Sequence, residues 1–211
     1  MQDTNRLILD VNIIRAAMHI PKRETIREAL MCVEIKPDGA CFATDGRVMF
    51  QGEGAILDGE ITKPLLLPYF KLPKKIIQLV VTHDINYNEK YIKVDMCDKN
   101  MTMQSFNLNY IDAVYPDVFG MMFSDTCINV ESKTMGVNPA FLAMAACIFP
   151  NSSAVRIEKM QHSKGSYIFY VVESMGLCEP SKQDPETWKF LIMPVTDNKY
   201  TEEFNGSFND E

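Results

Sequence analysis

The sequence predicts an α+β fold in which one supersecondary unit, β-α-β-β-β, occurs three times. Three short stretches carry apolar residues at helical spacing. Each is preceded by one strand-like run and followed by three more. Gly, Pro, Asn and Asp signals separate the runs. The copies share an order of elements without sharing sequence, which marks a structural repeat.

In the first unit Arg6–Asp10 is a strand, and Ile13, Ile14, Ala17 and Met18 outline a helix that Pro21 stops. Ala29–Lys36 and Ala40–Thr44 are strands joined by Pro37-Asp38-Gly39, where Pro sets φ and Gly accepts a positive one. Asp45-Gly46 marks another tight turn, and Arg47–Gln51 returns as the last strand. In the second unit Ile61–Pro68 is a strand and Lys71–Leu79 a short helix with Pro73 in its first turn. Val80–His83, Tyr91–Met96 and Met101–Leu108 are its strands.

Residues Tyr110–Phe123 form a link. The third unit opens with the strand Cys127–Glu131. Asn138 then caps a helix with Pro139 at its first position. Phe141–Phe149 is that helix, with Phe141, Ala145 and Phe149 on one face, and Ala154–Met160, Tyr167–Glu173 and Lys189–Val195 are strands. The organisation expected is a complete two-unit domain over 1–120, a half domain over 121–196 and an acidic mobile tail over 197–211. Helices should lie in one layer with sheets outside. The third unit, lacking a mate, leaves an open edge that another chain would cover.

A chain of 211 residues with 46% apolar and 23% charged residues has the composition of a globular protein, not of a disordered or disulfide-stapled one. No apolar run is long enough to span a membrane, and no signal peptide is evident, so a cytoplasmic protein is expected. The six cysteines are scattered, without C-x-x-C or zinc spacing. Those in ALMCVEI and MAACIF read as buried inert thiols.

The net charge of −7 argues at first against nucleic acid, but four of those excess charges lie in the tail after Val195. Residues 11–27 hold Arg15, Lys22, Arg23 and Arg27 against Glu24 alone. Residues 69–79 hold Lys71, Lys74 and Lys75 without an acid, and residues 138–150 hold no charge. Such faces are either routinely solvated or a basic strip that follows a phosphate backbone. His19, His83 and His162 are far apart and read as surface or boundary residues; no metal site, cofactor or catalytic residue is expected. Asp45 before Gly46 reads as a turn residue. Of fourteen methionines, Met49, Met121, Met122 and Met193 fall at element ends or in the link, where thioethers suit adaptable peptide binding.

The run Ala43-Thr44-Asp45-Gly46-Arg47-Val48-Met49 resembles the "ATDGHRL" signature of the middle domain of bacterial sliding clamps, the beta subunit of the replicative DNA polymerase. In the same order, Leu65-Leu66-Leu67-Pro68 looks like that domain's second strand entry and Tyr115-Pro116-Asp117 like its "FPD" linker. Val137–Leu142 resembles the "FNxxYL" helix start of the last domain, and Ile192–Val195 its "VMP" end. The usual histidine of the signature is absent, and three units stand where the family has six.

The resemblance implies a sliding-clamp (DNA clamp) fold in a shortened clamp of phage or mobile-element kind. It also implies a processivity factor, not an enzyme, that holds duplex DNA and tethers a DNA polymerase. Channel residues would be Arg15, Lys22, Arg23, Lys71, Lys74 and Lys75. A partner-peptide pocket would draw on Leu30, Thr44, Gly46, Arg47, Val48, Met49, Pro116, Met121, Leu191 and Met193. The alternative is a clamp-like interaction module that binds polymerase or clamp-partner peptides without encircling DNA. A homo-oligomer is expected, either a dimer through the third unit or a tetramer of twelve units.

Overall fold

The computed structural model describes residues 4–20, 27–84, 90–116, 127–129, 139–152, 154–162, 168–174 and 188–192. The first unit comprises β1 (Thr4–Leu9), α1 (Val11–Ala17), β2 (Cys32–Ile35), β3 (Cys41–Thr44) and β4 (Val48–Gly52), with a short 3-10 turn over Glu28–Met31 ahead of β2. The second comprises β6 (Leu65–Pro68), β7 (Ile76–Asp84), β8 (Tyr91–Asp98) and β9 (Met103–Asn109), preceded by a small strand β5 (Ile56–Asp58) that the sequence reading did not anticipate. The third comprises β10 (Cys127–Asn129), α2 (Pro139–Ile148), β11 (Val155–His162), β12 (Ile168–Ser174) and β13 (Lys189–Ile192).

Two antiparallel sheets result, ordered β5-β1-β7-β8-β9 and β10-β11-β12-β13-β4-β3-β2-β6. The first two units exchange their leading strands: β1 pairs with β7 of the second unit, and β6 pairs with β2 of the first. The third unit has no mate, and its own β10 takes the equivalent place beside β11. Among the described residues β10 is itself the outer strand of the larger sheet, so the sheet still ends on an edge there. At its other side the unit joins the first through β13 and β4, with Phe190 opposite Phe50 and Leu191 opposite Met49.

α1 starts where it does because Asp10 accepts hydrogen bonds from the backbone N–H groups of Asn12 (2.7 Å) and Ile13 (3.1 Å). Its buried face, with Ile13, Ile14 and Ala17, packs on β3, β4 and β7 and beside α2. α2 contributes Phe141, Ala145 and Ile148, and Phe149 is buried just beyond it. One core joins these helices to Leu7, Leu79 and Val94 of the smaller sheet and Val33, Phe50 and Phe190 of the larger. Within it the rings of Phe50 and Trp188 meet edge to face at 5.6 Å and 84°.

The helix expected over Lys71–Leu79 does not form. Residues 71–75 are a loop and turn, and β7 begins at Ile76. The run Ile76-Ile77-Gln78-Leu79-Val80-Val81 is rich in β-branched residues. Placed between β1 and β8, it finds ladder partners on both sides, which a short helix entered through Pro73 could not match. The layer beside α1 is therefore filled by α2 of the third unit. Two smaller expectations also change: Cys147 is exposed on α2, and His83 is buried in β7.

Candidate functional site

The segment Thr44–Val48 is a tight turn built by side chains. Asp45 Oδ1 accepts from the backbone N–H of Arg47 (2.8 Å) and Val48 (3.0 Å). Thr44 Oγ1 accepts from Gly46 N (3.0 Å) and donates to the Val48 carbonyl (2.8 Å), while Gly46 sits at φ +87°. Asp45 is thus a turn residue, as the sequence suggested.

Of the expected pocket residues, the structure aligns Thr44, Met49 and Leu191 in one row across β3, β4 and β13. All three are buried, on the sheet face opposite the main core. Val48 alternates to the core face with Ile192. Gly46 and Arg47 are exposed at the turn, and Leu30 and Pro116 are half-buried. Met121 and Met193 lie outside the described residues, as do the tail and Met122.

The 110–116 segment crosses the same face. Tyr115 lies beside Thr44 and Glu34, and burial pushes its phenol far above its ordinary range. Beside it an open cavity of about 500 Å³ is lined by Glu34, Leu66, Tyr110, Val114 and Tyr115. Tyr115 was legible only as part of a linker motif; nothing in the sequence places it over β2 and β3.

The expected basic residues divide three ways. Arg15 ties α1 to β7, its guanidinium donating to the Ile76 carbonyl (2.9 Å) and to Asn12 Oδ1 (3.1 Å). Lys75 pairs at 3.2 Å with Asp98, whose buried carboxylate also accepts from the N–H groups of Asn100 and Thr102. Lys71 and Lys74 are exposed on the loop before β7. Lys22 and Arg23 lie outside the described residues.

His19, which the sequence marked as ordinary, lies at the surface just beyond α1, within electrostatic reach of both Lys74 and Arg15. Partial burial, then those two cations, hold its imidazole below the ordinary value. Sequence separation hid this cluster, since Lys74 reaches α1 only because β7 pairs with β1. Among the described residues no group of three or more His, Cys, Asp or Glu is placed to hold a metal. No described helix is long and apolar enough to cross a membrane.

Repeated units that exchange leading strands, a helical layer and joined antiparallel sheets define a DNA-clamp type of architecture. The particular fold is that of the sliding clamps. The chain is similar to the pol III beta of Caulobacter crescentus at 12% identity, over 90% of this chain and 65% of that one, with a TM-score of 0.54. It is likewise similar to the DNA polymerase sliding clamp from Pseudomonas aeruginosa, at 9% identity over 90% and 66% of the two chains with a TM-score of 0.53. The chain spans about 65% of the length of the Caulobacter protein. No protein-family model matches, and no curated protein matches in sequence. The resemblance noted in the sequence therefore holds at the level of the fold.

Proposed function

We propose that this chain is a shortened sliding clamp, a replication processivity factor of the cytoplasm without chemistry of its own. It holds duplex DNA non-specifically and tethers a DNA polymerase. Its two-unit domain (1–120) and half domain (121–196) assemble with further copies into a homo-oligomer. The observation that carries this reading is the exposed Lys71 and Lys74 on the loop before β7, with Lys74 within electrostatic reach of His19 at the end of α1, in a chain with the sliding-clamp fold. Phosphate contacts by Lys71 and Lys74, joined by Lys22 and Arg23, need no base recognition. Lys75 contributes less, since Asp98 already neutralises it.

Titration of a duplex against increasing salt tests this. Each lost phosphate contact lowers the log–log salt slope by about 0.9, so Lys71→Glu with Lys74→Glu removes about two units. Binding without salt dependence, or unchanged in the double variant, overturns the reading.

A second reading keeps the peptide partner and drops DNA. It is favoured by α2, whose exposed positions Ala140, Ala143, Ala146 and Cys147 offer a phosphate nothing. The peptide would dock at the end of the Thr44–Met49–Leu191 row, with Pro116, Met121 and Met193. Titrating a clamp-binding peptide against wild type and Met193→Ala decides: absence of binding in both sinks it.

A further inference from the structure

We infer that the cavity where α1 meets the end of α2 binds an uncharged adenine nucleoside. It measures about 280 Å³, and Asp10, Ile13, Arg15, Glu53, Ile148 and Trp188 are among its lining residues. None of the residues of the expected peptide pocket borders it, nor do Lys71 and Lys74.

Two buried donors at its wall have no acceptor. Trp188 is 2% exposed, and its indole N–H meets no partner. The edge-to-face contact with Phe50 needs only a ring, not that N–H. Arg15 spends its terminal nitrogens on Asn12 Oδ1 and the Ile76 carbonyl, and its Nε–H is likewise buried without an acceptor. Buried donors are paired almost everywhere in folded proteins, because each one left over costs stability. A tryptophan and an arginine orphaned on the wall of one cavity call for acceptors from outside the chain. The space is several times the ~30 Å³ share of a single water.

The charges around the cavity select what kind of molecule brings them. Asp10 lies within electrostatic reach of Arg15 and answers its charge, and Glu53 adds a second carboxylate. One cation against two carboxylates repels an anion. The walls of Ile13, Ile148 and Trp188 suit a flat body with apolar faces. The occupant is thus uncharged and carries acceptors for two N–H groups beside a donor for a carboxylate. Adenine has that edge, since N1 and N7 are acceptors on either side of an exocyclic amino group. The volume lies at the small end of ligand cavities, which fits one base with its sugar and nothing longer.

This site uses no phosphate contact, so its occupancy is insensitive to salt, unlike that of duplex DNA. Trp188 is the single tryptophan of the chain, and its emission therefore reads the cavity directly. Titrating the full chain with adenosine is expected to change that emission saturably, with the same midpoint at low and high salt. Adenosine dimethylated on its amino group lacks the donor, and adenosine monophosphate brings charge. Each is expected to bind at least about tenfold more weakly. Trp188→Phe keeps a ring against Phe50 but removes the N–H, and calorimetry is expected to show a loss of about tenfold for adenosine. Glu53→Gln, at an exposed position, is expected to narrow the preference for adenosine over its monophosphate. The proposal is overturned by emission that adenosine leaves unchanged, or by either analogue binding as tightly as adenosine. A folded Trp188→Phe that binds as tightly, or a preference that Glu53→Gln leaves intact, overturns it as well. Loss of duplex binding with adenosine binding intact bears only on the functional reading.

Discussion

Met49 on β4 and Leu191 on β13 stand directly opposite each other, and both are buried. This pair marks the join between the first unit and the third. Truncating either to alanine is expected to cost about 2–5 kcal/mol. Because the two occupy neighbouring positions on one sheet face, the double variant should depart from additivity by about 0.5–3 kcal/mol. Urea denaturation of the two single variants and the double measures it; strict additivity would mean the join is not a packing unit.

The start of α1 depends on one carboxylate. Asp10→Ala leaves the N–H groups of Asn12 and Ile13 without their acceptor, and about 1 kcal/mol of stability is expected to go with it. Asp10→Asn or Asp10→Ser should recover most of that loss in the same melt.

Gly59 cannot carry a side chain. It sits at φ +90°, and a Cβ there would collide with the carbonyl oxygen of Arg6. Gly59→Ala is expected to destabilise by more than about 1 kcal/mol, with faster hydrogen exchange along β5 and β1 as the local signature. The nearby Asn5 side chain, which donates to the Glu60 carbonyl, reports on the same contact.

His19 makes stability depend on pH. Its folded pKa lies below the ordinary 6.5, so below that pH the unfolded chain binds a proton that the folded chain resists. Stability should therefore fall as pH drops through that region, and His19→Gln should flatten the dependence. DNA phosphate beside the imidazole would oppose the two cations, so duplex affinity should rise over the same interval in wild type alone.

Asp98 acts with the opposite sign. The N–H of Thr102, with help from Lys75 and the N–H of Asn100, holds its carboxyl below the ordinary 3.8. Its contribution is present above that value and is lost as pH falls through the lowered one. Asp98→Asn should lower the melting temperature at neutral pH and remove that part of the acid sensitivity. A variant as stable as wild type at neutral pH would show that the turn needs no charge.

Much of the architecture was legible because local chemistry agreed with the final structure. The Pro37-Asp38-Gly39 and Asp45-Gly46 turns, the apolar face of α2 and the strand runs around them all carry their signals within a few residues. The stretch from Lys71 to Leu79 misled because its charges and apolar residues fit a helical period. What decided between helix and strand was a pair of distant ladders. The order of motifs carried the family likeness through to the fold even though the chain is only 12% identical to the Caulobacter protein.

The sequence by itself determined the repeat, the turns, the buried faces and the acidic tail that masks a more neutral body, since each depends on residues close along the chain. Only the tertiary structure decided that the first two units exchange leading strands, that β10 lies beside β11, and that β13 joins β4. It also decided that Lys74 comes within electrostatic reach of His19. Those facts concern which edge meets which. Ladder hydrogen bonds are chemically alike along every strand, so side-chain pattern selects the face a strand buries but not its neighbour; that choice is made when the whole sheet closes over one core.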